Sequence, residues 1–124
     1  MYYRDANIVL LCYDITQQSS FDNLYYWIDN LQNHALNSVK VVLIGTKLDM
    51  NENRVVDKAD VRNFIENHDI LFGIETSSLS GENIIETFDK IASYLENNKE
   101  KYIPKKTIHI TNIRKKQYNS SCCY

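Results

Sequence analysis

Apolar residues along this chain switch repeatedly between short unbroken runs and stripes that recur at helical spacing. Ile8-Val9-Leu10-Leu11-Cys12-Tyr13, closed by Asp14, reads as a strand buried on both faces. Ser19 or Ser20 then offers a cap for a helix running to about Asn33. Its Phe21, Leu24, Tyr25, Trp27, Ile28 and Leu31 share one spacing and read as core packing. Lys40 to Gly45 is a second strand, and the polar stretch Asp49 to Val56 a loop. Asp57 is placed to cap a helix to about His68, with Val61, Phe64 and Ile65 inward. Ile70 to Glu75 is a third strand. Gly81 to Asn98 is a last helix, striped by Ile84, Ile85, Phe88, Ile91, Ala92 and Leu95. Pro104 then interrupts the chain, and the short alternation from Ile108 to Ile113 is assigned to a flexible tail.

The order β-α-β-α-β-α is that of an α/β fold with a parallel sheet and right-handed crossovers. A chain of 124 residues, 44% hydrophobic, suits one domain with a modest core. The longest apolar run, Ile8 to Tyr13, falls far short of the roughly 20 residues of a membrane span. Met-Tyr-Tyr-Arg-Asp at the start has no apolar stretch of the kind a secretory signal carries. Cys12 reads as a small buried hydrophobe, and adjacent Cys122 and Cys123 are poorly placed to bridge each other. His34, His68 and His109 lack ligand spacing, so no metal site is expected.

Charge divides the chain in two. Residues 1–98 carry 7 Lys/Arg against 15 Asp/Glu, a balance of −8; residues 99–124 carry 7 against 1, a balance of +6. An acidic body with a basic tail implies that the tail alone meets an anionic surface, and nucleic acid is not an expected partner of the body.

Candidate chemistry sits where two of the strands end. Gly45-Thr46-Lys47-Leu48-Asp49 follows the second strand and Glu75-Thr76-Ser77-Ser78 follows the third. Loops at the carboxyl ends of parallel strands are where an open α/β sheet holds a ligand. A carboxylate such as Asp49 can accept side by side from the N1–H and 2-amino group of guanine. Adenine lacks both donors and would leave the carboxylate unpaired. The two loops together read as a guanine pocket.

These residues resemble the base-recognition pair of the Ras-like small GTPases, N-K-x-D and S-A-K or S-A-L. Tyr2-Tyr3-Arg4-Asp5-Ala6, Tyr13-Asp14-Ile15-Thr16, Ser20-Phe21, Trp27, Ser80-Gly81-Glu82-Asn83-Ile84 and the terminal Cys122-Cys123 are similar to the Rab branch. The resemblance covers the chain to about Asn98. It implies a three-layer α/β/α sheet of the P-loop NTPase, Ras-like type, incomplete at about three strands and three helices. Residues 1–98 would form the second half of that domain, and residues 99–124 a basic tail. The sequence has only Gly45, Gly73 and Gly81, so neither G-x-x-x-x-G-K-[ST] nor D-x-x-G occurs in it. Phosphate loop, switches and catalytic Gln are therefore expected upstream, with Met1 an internal methionine of the family pattern, and no catalytic residue is assigned.

By the same resemblance, Asp49 is the guanine acceptor, and the Lys47 stem crosses the base with its ammonium toward ribose and phosphate loop. Ser77 offers its hydroxyl, Ser78 its backbone N–H to the guanine O6, and Leu79 covers the base where many members carry Lys. Thr46 replaces the usual Rab Asn, a change familiar from the Rho branch. Asp14 and Thr16 are expected to end their strand and shape its loop rather than touch ligand. The implied ligand is GTP or GDP, by its guanine moiety only, with magnesium belonging to a complete protein. Cys122 and Cys123 resemble the double-cysteine endings that take two geranylgeranyl groups, and Lys105, Lys106, Arg114, Lys115 and Lys116 would add attraction to anionic lipid. Prenylation, escort and Rab-regulatory proteins are implied partners, and the cytoplasmic face of an intracellular membrane, cycling with cytosol, the implied location. Two functions fit: a Rab-like GTPase of vesicle transport represented by part of its chain, or a non-catalytic truncated paralogue that binds partners or membranes. In both, an apolar strand from Ile8 to Tyr13 without its usual neighbour is an exposed edge. The isolated chain should therefore be marginally stable; a sharp, reversible thermal transition of the monomer by circular dichroism would contradict this.

Overall fold

The computed structural model describes residues 6–34 and 39–102. The elements are β1 (Ile8–Asp14), α1 (Gln18–Asp22), α2 (Leu24–His34), β2 (Lys40–Thr46), a 3-10 turn (Leu48–Asn53), α3 (Lys58–Asn67), β3 (Ile70–Glu75), α4 (Ile84–Asn97) and a short α5 (Lys99–Tyr102). The three strands form one parallel sheet in the order β1-β2-β3, the incomplete Ras-like α/β arrangement expected. Asp14 lies opposite Thr46, and Gly45 opposite Glu75, so the strands end at a common level. The expected tail beyond Tyr102, with Cys122 and Cys123, lies outside the described residues.

β2 is the axis of the core because it alone has a strand on each side. Val41, Val42, Leu43 and Ile44 are all buried, two on each face. On one face Leu11, Tyr13, Val41 and Leu43 pack with Phe21, Leu24, Ile28 and Leu31 of the first two helices and Phe64 of α3. Phe21 joins the layers, its ring edge-on to Tyr13 at 5.2 Å and to Phe64 at 5.7 Å. Asp57 caps α3 as expected, accepting from the Ala59 N–H at 2.7 Å. On the other sheet face α4 approaches β3, where Lys90 Nζ stands 5.8 Å from the Phe72 ring centroid.

Several expectations are corrected. β1 is buried on one face only: Leu11 and Tyr13 are inside, whereas Leu10 and Cys12 are exposed. The cause is its place at the sheet edge, with α1 and α2 over one face and α4 at the far strand. Tyr25 and Trp27 are about half exposed, so they leave the core stripe, although Tyr25 lays its ring edge-on to Phe64. Of the α4 stripe, Ile85, Phe88 and Ala92 are exposed, and Ile84, Ile91 and Leu95 are partly covered. The first helix breaks at Asn23 and starts after Gln17, without a side-chain cap. Ser20 instead accepts from the Asp14 N–H at 2.9 Å and donates to the Gln17 carbonyl at 2.7 Å, tying the helix to the end of β1.

Tyr13 is 2% exposed, yet its hydroxyl has no hydrogen-bond partner among the described residues. Burial, with the Glu75 charge second, pushes its pKa up to about 12. The hydroxyl lies over Gly45, where an added Cβ would stand 2.8 Å from it. Gly45→Ala should therefore cost roughly 1–3 kcal/mol by overpacking. Tyr13→Phe, which deletes an unpaired polar atom, should be neutral or stabilising and should relieve part of the Gly45→Ala cost in the double variant. Urea unfolding followed by circular dichroism reads both; a Tyr13→Phe loss as large as that of Gly45→Ala would contradict this packing.

Candidate functional site

Backbone bonds continue the sheet past its strand ends and sew the two loops together. The Thr76 N–H donates to the Gly45 carbonyl at 2.7 Å, and the Leu48 N–H to the Thr76 carbonyl at 3.0 Å. On the other side the Ile15 N–H donates to the Thr46 carbonyl at 3.2 Å, and Thr46 Oγ1 to the Tyr13 carbonyl at 2.9 Å. Thr46 thus fastens β2 to β1 by its side chain. Lys47, directly after the strand, takes the left-handed conformation at φ 66° and ψ 39°. That costs a non-glycine residue on the order of 1 kcal/mol. Its carbonyl accepts from the Met50 N–H at 2.8 Å, closing the turn that carries Asp49.

The predicted residues separate into two groups. Asp49 and Ser77 meet: the Ser77 hydroxyl donates to Asp49 Oδ1, while Asp49 Oδ2 has no partner among the described residues. Ser77 is fully buried and itself fixed, accepting at Oγ from the Ser80 N–H at 3.1 Å and at its carbonyl from the Gly81 N–H at 2.9 Å. Ser78 and Leu79 lie exposed beside them, Leu79 at 85%, and the Ser78 N–H makes no hydrogen bond among the described residues. Lys47 goes the other way. Its Nζ lies 2.6 Å from Asp14 Oδ2, at the end of β1.

Asp14 does more than end a strand. Its Oδ1 accepts from the Thr16 N–H at 2.8 Å and the Thr16 hydroxyl at 2.7 Å, the loop-shaping role expected, while Oδ2 takes the lysine. Burial works to raise the Asp14 pKa, but the bonds from Lys47 and Thr16 outweigh it and hold the carboxyl below its ordinary range. Sequence reasoning also missed the support beneath β3. Arg54 grips Glu75 through both nitrogens at 2.7 Å, with side chains only 14% and 21% exposed. Asn83, left-handed at φ 60°, donates from Nδ2 to the Glu75 carbonyl at 2.8 Å. The available signal was a carboxylate closing an apolar strand, which needs a cation, and a lone Arg in the preceding polar loop.

The model of the Ras family matches residues 1–97. The chain belongs to the Ras family. Its similarity to curated members is of Rab type. It is 34% identical over 124 residues to Ras-related protein Rab-26 of Bos taurus, covering 98% of this chain and 48% of that protein. To Ras-related protein Rab-8B of Dictyostelium discoideum it is 38% identical over 127 residues, covering 98% and 59%. To GTP-binding protein ypt5 of Schizosaccharomyces pombe it is 42% identical over 96 residues, covering 77% and 45%. The chain spans about half the length of the curated relatives it matches.

The Asp14 pair gives this Ras-family chain an acid dependence of known sign. A depressed carboxyl contributes stability that is fully present above its unfolded pKa, near about 3.9, and is lost as pH falls through the lower folded value. Between pH values of about 5 and 3 the urea midpoint of the native chain should fall further than that of Asp14→Asn. Equal acid losses in the two proteins would contradict the pairing.

Proposed function

We propose that this chain is the base-recognising part of a Rab-like small GTPase serving vesicle-mediated transport. The observation that carries the reading is the Asp49 carboxylate, steered by the buried Ser77 hydroxyl at one oxygen and unpartnered among the described residues at the other. A guanine edge would donate N1–H and 2-amino hydrogens to Asp49, and its O6 would accept from the free Ser78 N–H. Each charge-assisted bond contributes roughly 1.5–3 kcal/mol. Leu79 would cover one face of the ring and the Lys47 stem the other, with Thr46 holding the loop on β1. GTP or GDP is then the ligand. Phosphates and magnesium would be held by elements other than those named here. Lipids on Cys122 and Cys123, with the basic tail, would carry the membrane contact.

A second reading, a non-catalytic module that binds partners or membranes, is favoured by apolar side chains left open on α4, Ile85 at 75% and Phe88 at 57% exposed. The genomic frame upstream of Met1 separates the two: a phosphate loop and D-x-x-G there favour the first, an in-frame stop the second. For the purified 124-residue chain, no GTP turnover and only weak GDP binding are expected. Turnover abolished by Asp49→Ala, or micromolar GDP affinity by calorimetry, would overturn the assignment of the phosphate contacts to other residues.

A further inference from the structure

The two charges of the β2 loop are two residues apart, yet the fold sends them in opposite directions. Lys47 turns back to Asp14 at the end of β1, and Asp49 turns to Ser77 beyond β3. The left-handed backbone at Lys47 and the Leu48 to Thr76 bond between them make that separation. Asp49 forms no ion pair among the described residues. A lysine without a carboxylate partner so close to Asp49 would be drawn to it, because an ion pair is the lowest-energy use of a free acceptor beside an ammonium. Its hydrogens would then occupy the oxygen that a ligand needs.

We infer that Asp14 is a positioning residue that holds Lys47 away from Asp49 and so keeps Asp49 free to accept from a base. The inference rests on the guanine reading of Asp49 given above. Asp14 is well built for the task. Its main-chain N–H is tied to Ser20, one carboxylate oxygen takes both Thr16 donors, and the other is left for Lys47 alone. With both oxygens engaged in fixed directions, the carboxylate cannot swing away and release the ammonium. Asp14 touches no ligand in this account; it acts through Lys47.

A double-mutant cycle separates this role from simple support of the loop. Guanosine binding to the full chain is measured by nuclear magnetic resonance for the native protein, Asp14→Asn, Lys47→Met and the double variant. Asp14→Asn should weaken guanosine by about fivefold or more, within the range expected for coupled neighbours. In the Lys47→Met background the same change should have no effect, since no ammonium remains to stray. Equal losses in both backgrounds would overturn the inference while leaving the guanine reading intact. The Asp49 side-chain carboxyl resonance provides a ligand-free readout. It should move in Asp14→Asn and return in the double variant; an unmoved resonance would overturn the inference whatever guanosine does. Absence of guanosine binding to the native chain, with that resonance behaving as expected, would instead overturn the guanine reading alone.

Discussion

Two backbone hydrogen bonds beyond the sheet, from Thr76 to Gly45 and from Leu48 to Thr76, hold the site together. They exist because β2 and β3 are parallel and end level, with Gly45 opposite Glu75. In an open α/β sheet the carboxyl ends of the strands are where loops from separate segments come together beside a ligand. Once Thr76 is fixed on Gly45, Ser77 is carried into the interior and Asp49 is brought within reach of its hydroxyl. The side-chain contact is thus a consequence of sheet register. It would be lost with a slip of one residue, which would turn every strand side chain to the other face.

Beneath that seam, electrostatics are partitioned so that each charge meets a chosen partner. Glu75, at the last position of β3, would be a costly half-buried carboxylate without Arg54, which satisfies it bidentately. Asp14, at the last position of β1, takes Lys47 and Thr16. Three carboxylates therefore stand at or just beyond the sheet's carboxyl end, and two have cationic partners. The third, Asp49, is matched among the described residues only by a neutral hydroxyl. An open carboxylate oxygen beside cations that are committed elsewhere can accept from the neutral N–H donors of the base proposed above.

Elements defined by local patterning were readable in the sequence. The span of β3, the position of β2, the Asp57 cap and the pairing of the two loops follow from apolar runs and turn chemistry alone. What the pattern could not supply was which face of an element has something to pack against. Ile8 to Tyr13 is as apolar as a central strand, yet it stands at the edge, so Leu10 and Cys12 face outward. The α4 stripe is real as periodicity, but Ile85 and Phe88 are exposed. The pairing of the Lys47 ammonium was out of reach for a different reason: it depends on a left-handed backbone and on a carboxylate 33 positions away in sequence. The Arg54–Glu75 grip is equally non-local. Membership of the Ras family with Rab-type relatives was legible from short motifs, because those motifs lie in the loops whose chemistry is most constrained.

In the proposed function, Asp49 and the loop at Ser77 form one surface that reads a guanine edge. Amide chemical-shift mapping of the labelled chain with GMP, IMP and AMP tests it most directly, because IMP lacks only the 2-amino donor and AMP lacks both. Shifts are expected at Leu48, Asp49, Ser77 and Ser78 with GMP, smaller ones at the same residues with IMP, and none there with AMP. Equal responses to all three nucleotides, or responses confined to other parts of the chain, would contradict it.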